Sequence, residues 1–322
     1  MDTLPVIAAV DGSDDSLRAL DWALDAARRR EAPLRVVHVR EFGPLLRPET
    51  LTAVQPEPDT DQVLDLVRDR LKNLAQDAPV TEYLALDGAP AALLPGLGAE
   101  AQLMVFGSRG RGGFASLLLG SNGTAAARDA ECPVVVVPRP GREVPESELV
   151  TPGPRVVVGL HVDSPNDEAL AFAFAEAARR EARVQVAAVF PWPVQFGELV
   201  AAPVVDEDAI ESETRALAAG FVAPHAERHP GVGVDLYVLP GDAAGRLVAA
   251  SQGADLVVVG RHRRRLLAPA RMMGSVTQAV LLHAASPVAV IPPAGADGAD
   301  GSDVTDGVDG WDEVDGTGGA RG

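Results

Sequence analysis

Cysteine and lysine are almost missing from this sequence: Cys132 and Lys72 each stand alone, against 27 arginines. One cysteine cannot close an internal disulfide, and without a Cys/His cluster the usual ligands of a structural zinc site are lacking. One lysine excludes a Walker-type phosphate loop, which needs Gly-Lys-Ser/Thr, and leaves Lys72 as the sole candidate for lysine catalysis. Long apolar runs are absent as well. Leu103 to Gly107 and Val134 to Val137 are strand-length, far short of the roughly 20 residues that cross a bilayer. No basic region or small-residue cleavage site precedes the first apolar run, so the expected location is the cytoplasm, with no membrane partner. Positive charge is scarce too: the net charge is −18, which argues against a general nucleic-acid binder. Part of that charge is local, because from Ala294 to Gly322 eight acids face only Arg321.

What the chain does have is length for two domains and a soluble composition, with 322 residues, 47% hydrophobic and 23% charged. It also repeats itself at an offset near 150 residues. Val6-Ile-Ala-Ala-Val-Asp-Gly-Ser13, a helical stretch and Leu34-Arg-Val-Val-His-Val39 return as Val156-Val-Val-Gly-Leu-His-Val-Asp163, a helical stretch and Val184-Gln-Val-Ala-Ala-Val-Phe190. Ala101-Gln-Leu-Met-Val-Phe-Gly107 returns as Ala254-Asp-Leu-Val-Val-Val-Gly260, and Cys132-Pro-Val-Val-Val-Val-Pro138 as Ser286-Pro-Val-Ala-Val-Ile-Pro292. The expected layout is a first domain over 1–139, a linker over 140–153 rich in Pro, Gly and Glu, a second domain over 154–293, and an acidic tail over 294–322. Asp at every third tail position, spaced by small residues, predicts disorder there, with Trp311 its only bulky aromatic.

Within the first copy, short apolar runs near 5–10, 34–40, 80–86, 102–107 and 134–138 read as buried strands. Between them, Asp14 to Arg30 puts Leu17, Leu20, Ala23, Leu24 and Ala27 on one helical face, and Asp61 to Leu74 does so with Val63, Leu64, Val67, Leu71 and Leu74. Strand and helix in alternation predict an α/β fold of two tandem doubly wound five-stranded parallel sheets. Ligands of such sheets sit beyond the carboxyl ends of the strands.

The segment with the most chemistry runs from Gly107 to Thr124, between an apolar strand and a helix. Gly107 and Gly110 let backbone approach a ligand, and Gly120-Ser121 falls where free amides and the positive dipole end of the next helix suit phosphate oxygens. A glycine-rich stretch also serves simply as a turn, and spacing alone leaves the two readings level. Asp11, at the end of the first strand, is either a ligand acceptor or a helix cap, a job Ser13 or Asp14 does equally well.

Gly107-x-x-Gly110, nine residues, then Gly120-Ser121 resembles the signature of ATP-binding universal stress proteins. Val10-Asp11-Gly12-Ser13 with Ser16 is similar to that family's opening, and Cys132 to Pro138 to its last strand. The resemblance spans both copies and implies an adenine nucleotide alpha hydrolase-like, Rossmann-like fold. It also implies ATP as ligand, with any Mg²⁺ held through the phosphates. By that resemblance Val10 and Asp11 lie at the adenine, with the Asp11 carboxylate accepting from it and the backbone of Val39 touching the same ring. The resemblance implies that Gly107, Gly110, Gly120 and Ser121 hold ribose and phosphates, and Arg109 and Asn122 are counted with them among the nucleotide-binding residues. Family members pair through their last strands, so the two copies are expected to form an intrachain pseudo-dimer, with a homodimer of chains still open.

The second copy departs at these points. Asp11 is matched by His161 and Gly110 by Arg263, and Arg261, His262, Arg263, Arg264, Arg265 and Arg271 crowd a loop one residue longer. That loop reads either as a basic anion pocket or, in the preferred reading, as a decayed site. His38, His225, His229 and His283 show no metal-ligand spacing. With no evident general base or metal-carboxylate pair at the loop, no catalytic residue is assigned. The leading expectation is a stress-response protein in which ATP occupancy is the signal; the alternatives are slow Mg²⁺-dependent ATP hydrolysis and a nucleotide-independent scaffold.

Overall fold

The computed structural model describes residues 3–41, 61–74, 79–110, 119–190, 206–261 and 273–294. The Arg-rich stretch from His262 to Arg271 and the tail from 295 lie outside them. The first half runs β1 (Val6–Ala9), α1 (Asp14–Arg29), β2 (Leu34–Arg40), α2 (Gln62–Leu74), β3 (Thr81–Asp87), α3 (Pro90–Leu93), a 3-10 segment (Leu94–Glu100), β4 (Leu103–Gly107), α4 (Ser121–Asp129) and β5 (Val134–Val137). The second runs β6 (Arg155–Leu160), α5 (Asp167–Arg180), β7 (Arg183–Phe190), α6 (Glu207–Arg228), β8 (Val234–Pro240), α7 (Ala243–Ala250), β9 (Leu256–Gly260), α8 (Ser275–His283) and β10 (Val288–Ile291).

Local chemistry explains the helix starts. Ser13 caps α1 by accepting the Ser16 N–H, Asp14 and Asp15 sit in its first turn, and Arg28 and Arg29 in its last, a charge order that suits the helix dipole. Arg30 is the C-cap of that helix rather than its last residue. Asp61 opens α2, its Oδ1 accepting the N–H groups of Val63 and Leu64, both at 3.0 Å. The apolar faces turn inward as their spacing predicts: Leu20, Ala23, Leu24 and Ala27 of α1, and Val63, Leu64, Val67 and Leu71 of α2, are buried on one side of the sheet.

Strand order is β3-β2-β1-β4-β5-β10-β9-β6-β7-β8. Each half is the expected five-stranded parallel sheet, and the two are continuous as one sheet of ten strands. Neighbouring strands are parallel except at the centre, where β5 and β10 run antiparallel. There Val134 faces Val290, Val135 faces Ala289 and Val136 faces Val288. Since Val134 to Val136 correspond to Val288 to Val290 in the repeat, this register is self-complementary, with a pseudo-twofold axis through the Val135–Ala289 pair. Two apolar edges, Val134–Val137 and Val288–Ile291, thereby become the middle of a sheet.

Side chains clamp this seam from both faces. On the α1/α5 face the Arg30 guanidinium lies over the Phe172 ring at 5.5 Å and Arg180 over Trp22 at 5.0 Å, a pair related by the same pseudo-symmetry. Glu176, 2% exposed, accepts from Arg30 at 2.7 Å, Arg179 at 3.1 Å and Arg180 at 3.2 Å. Burial depresses the pKa of Arg30, and the Glu176 carboxylate opposes that shift. On the opposite face Arg142 donates to the carbonyls of Leu282 and Ala284 at the end of α8. Arg261 donates to those of Ala127 and Arg128 at the end of α4. The last helix of each half thus carries a cation on its negative end, from the joining segment on α8 and from the second half on α4. The segment joining the halves is fastened as well, through Arg142 and through Leu149, buried among the residues of this face.

Glu176→Ala strands Arg30 and Arg180, whose side chains are 7% and 8% exposed, without their shared carboxylate. Removing one partner of a buried pair costs roughly 3–5 kcal/mol. Chemical denaturation should therefore show a loss of about that size; a change within about 0.5 kcal/mol, typical of surface substitutions, would mean the cluster does not hold the seam.

Candidate functional site

In the first half the chain passes from β1 to the left-hand strands β2 and β3 and then crosses to β4 on the other side, so strand order reverses between β1 and β4. A cleft for ligands opens at the carboxyl ends of strands on either side of such a reversal. Two segments meet there, residues 10–16 after β1 and residues 107–110 after β4.

Val10 adds one ladder-type bond, its N–H to the Val37 carbonyl at 2.8 Å, and the chain then leaves the sheet. The expected strand over 5–10 therefore ends at Ala9. Asp11 folds back on its own loop: its Oδ1 accepts the Ser13 N–H at 3.0 Å and the Ser13 hydroxyl at 2.6 Å. The Asp11 N–H donates to Ser16 Oγ at 3.3 Å, and the Ser16 hydroxyl donates to the Ser13 carbonyl at 2.8 Å. Capping of α1 falls to Ser13, leaving Asp11 to shape the turn, and Gly12 supplies the positive φ of 76° that the turn requires.

Gly107 and Gly110 fit closely against this turn. A Cβ on Gly107 would lie 2.6 Å from the backbone carbon and oxygen of Asp15, so glycine is what lets α1 dock on the end of β4. A Cβ on Gly110 would lie 2.5 Å from Asp11 Oδ2, which places these two expected site residues side by side. Gly120 closes the loop, its N–H donating to the Ser108 carbonyl at 2.7 Å, and its Cα faces Arg109. It is also the N-cap of α4. Among the described residues no side chain caps that helix or its counterpart α8, whereas α1, α5, α6 and α7 each begin on a capping side chain. Ser121 is exposed and Asn122 half-buried at this helix start.

Val39 sits on the neighbouring strand, 8% exposed. Peptide groups alternate sides along a strand. The Val37 carbonyl serves the β1 side and the Arg40 carbonyl serves β3, accepting from Gly88 at 3.1 Å. The Val39 peptide groups therefore face the β1 side, past the last residue of β1. Asp11, Arg109, Gly110, Gly120, Ser121 and Asn122 thus gather at the end of the β1/β4 pair, with Val39 one strand away.

Sequence reasoning passed over the residues beneath the loop. Asp15, 2% exposed, accepts from the Ser108 hydroxyl at 3.2 Å, from Arg139 Nε at 2.9 Å to each oxygen, and from Arg18. Ser108 is fully buried. Arg142 lies close by: burial depresses its guanidinium, Arg109 and Arg139 push the same way, and Asp15 opposes them. This corner of an acidic protein is locally cationic. A signal was present, for Asp15, Ser108 and Arg139 all change in the second copy.

That copy is built differently at the same place. The ladders equate Val6 with Val156, since each is flanked by the equivalent residues of its two neighbours. β6 extends one residue further than β1, to Leu160, and its helix starts later, at Asp167 behind the N-cap Asn166. His161 is exposed, and the Asn166 side chain packs on Gly260, whose Cβ would lie 2.5 Å from it. Other chemistry is scarce. Burial pushes the Cys132 thiol up to about 12, which removes it as a nucleophile near neutral pH. Among the described residues no group of three or more His, Cys, Asp or Glu is arranged to hold a metal ion, and no helix is long and apolar enough to cross a membrane.

A doubly wound α/β protein with a glycine loop at its switch point is the class these features define. Comparison with known proteins narrows it. The profile of the universal stress protein family matches residues 4–138 and again 154–292. A universal stress protein of Mycobacterium tuberculosis is 34% identical over 291 residues, covering 88% of this chain and 96% of that protein. A second from the same organism is 32% identical over 305 residues, with 89% and 96% covered. The chain belongs to the universal stress protein family. The crystal structure of a putative universal stress protein from Pseudomonas aeruginosa superposes with a TM-score of 0.60 over 90% of this chain and 93% of that one; at 17% identity this shows the shared fold.

Gly107→Ala pushes a methyl group into the Asp15 backbone and should destabilise by about 1–3 kcal/mol. Gly123→Ala in α4 is the control: its methyl meets Phe106 and Val136 at an ordinary 3.7 Å. It should be neutral or stabilise by up to about 1 kcal/mol. Equal melting temperatures for the two variants would contradict the tight docking of α1 on β4.

Proposed function

We propose that the first half of this chain is an adenine-nucleotide site, with ATP as its ligand, and that occupancy of the site is the protein's stress signal. The observation that carries the reading is the convergence at the β1/β4 switch point. There the Asp11 turn, the glycine loop and the uncapped start of α4 meet. Phosphate oxygens accept from free first-turn amides and are favoured by the helix dipole. The arginines around Asp15 add positive charge behind the loop. The peptide groups of Val39 lie where a ring held beside Asp11 finds a donor and an acceptor, which suits adenine. Ser121 and Asn122 add side-chain donors at the phosphate end, and any Mg²⁺ is held through the phosphates. No residue is assigned a catalytic role. The cytoplasm is the proposed location.

The second half takes no adenine nucleotide in this reading. His161 replaces Asp11, in the sequence alignment Arg263 replaces Gly110, and Asn166 occupies the surface of Gly260. Calorimetry with ATP, ADP and AMP should return one site per chain. Gly110→Arg should abolish binding, because its side chain starts 2.5 Å from Asp11 Oδ2 and must displace that carboxylate or fill the space beside it. Two equivalent sites, no binding by the unaltered protein, or unchanged affinity in the variant would each refute the assignment.

A further inference from the structure

The two copies share one backbone plan, so a feature present in one and missing from the other is not required by the plan. The Asp15 cluster is such a feature. Strand register places Pro165 where the first half has Asp15, because β1 and β6 align at an offset of 150 residues. The alignment of β4 with β9 puts Arg261 at the place of Ser108, and that of β5 with β10 puts Pro293 at the place of Arg139. All three members change together. Arg261 instead reaches across the seam to the carbonyls of Ala127 and Arg128. The second half nonetheless forms its five-stranded sheet with β6, β9 and β10 buried.

We infer that Asp15 is the positioning residue of the nucleotide loop, acting through Ser108 and Arg139. Its carboxylate ties together the three segments that meet at the site: the first turn of α1, the residue after β4, and the chain leaving β5. Ser108 is the register mark of the loop. Its N–H donates to the Val137 carbonyl at 3.0 Å, and its carbonyl accepts the Gly120 N–H at 2.7 Å. With Ser108 held from below by its hydroxyl, the start of α4 and Gly110 keep a fixed distance from Asp11. A buried carboxylate with a charge-assisted partner makes such a restraint stiff. Arg139, half-exposed, is its outer member, two residues past the end of β5.

The role in binding rests on the nucleotide reading above, but the restraint itself is measurable without ligand. Amide hydrogen exchange would be followed in unliganded full-length protein, Asp15→Asn, Arg139→Met and the double variant, with the Val258 and Val290 amides of the second half as internal controls. Hydrogen bonds to a charged group carry enough free energy that loss of either should speed exchange at Ser108 and Gly120 by about tenfold or more. The double variant should be no faster than the worse single variant, because both break one link. Control amides should keep their wild-type rates. Wild-type exchange at Ser108 and Gly120 in both single variants, or effects that multiply in the double variant, would overturn the proposal. Arg139→Met leaves the buried carboxylate in place and serves if Asp15→Asn does not fold. In a parallel titration with ATP, both single variants should bind about tenfold or more weakly for the same reason. Failure of the unaltered protein to bind ATP would sink the nucleotide reading while the exchange data still decide the restraint.

Discussion

The antiparallel pairing of β5 with β10 is the interaction on which the rest of the molecule depends. Three residues on each side suffice, since Val134, Val135 and Val136 meet Val290, Ala289 and Val288 in a register that maps onto itself. A strand of four valines is an aggregation hazard at a sheet edge, and pairing it with its own repeat removes the hazard without a second chain. The ring contacts clamping the seam follow from that symmetry. Arg30 and Arg180 reach reciprocally over Phe172 and Trp22, and Arg142 and Arg261 onto the ends of α8 and α4. Glu176 breaks the symmetry, one carboxylate shared by arginines of both halves, with Ala26 at its place in the first half.

With the scaffold secured twice over, the loops beyond the strands are free to differ. In the first half they are tight enough that two glycines stand where a methyl group would strike Asp15 or Asp11. In the second, an added residue of strand, a later helix start and the Asn166 side chain occupy the equivalent ground. One fold thus carries two different sets of loops, because strand pairing constrains the sheet and leaves the loop chemistry to the residues that supply it.

Much of the architecture was legible because its signals are local. Apolar runs of strand length marked the strands, helical spacing marked α1 and α2, and the repeat announced two copies. The glycines and Asp11 were legible because their spacing is a motif. What was not legible depends on distance along the chain. Asp15 meets Ser108 and Arg139 across 93 and 124 residues, and beside Asp14 in a first turn it reads as an ordinary complement to the helix dipole. Ser13 and Asp11 were interchangeable as caps on paper, and only the geometry assigns the cap to Ser13 and the turn to Asp11. The clamp formed by Trp22, Arg180 and Glu176 needs both halves in place before any of its members has a partner.

The central claim is that a single adenine-nucleotide site lies at the β1/β4 switch point of the first half. Photolabelling with an azido-substituted ATP, followed by proteolysis and mass mapping of the full-length protein, reads the location of the base directly. The label is expected on peptides containing residues 10–13 or 37–41, with protection by excess ATP. Competable label confined to the second half, on peptides around His161 or Gly260, would contradict it.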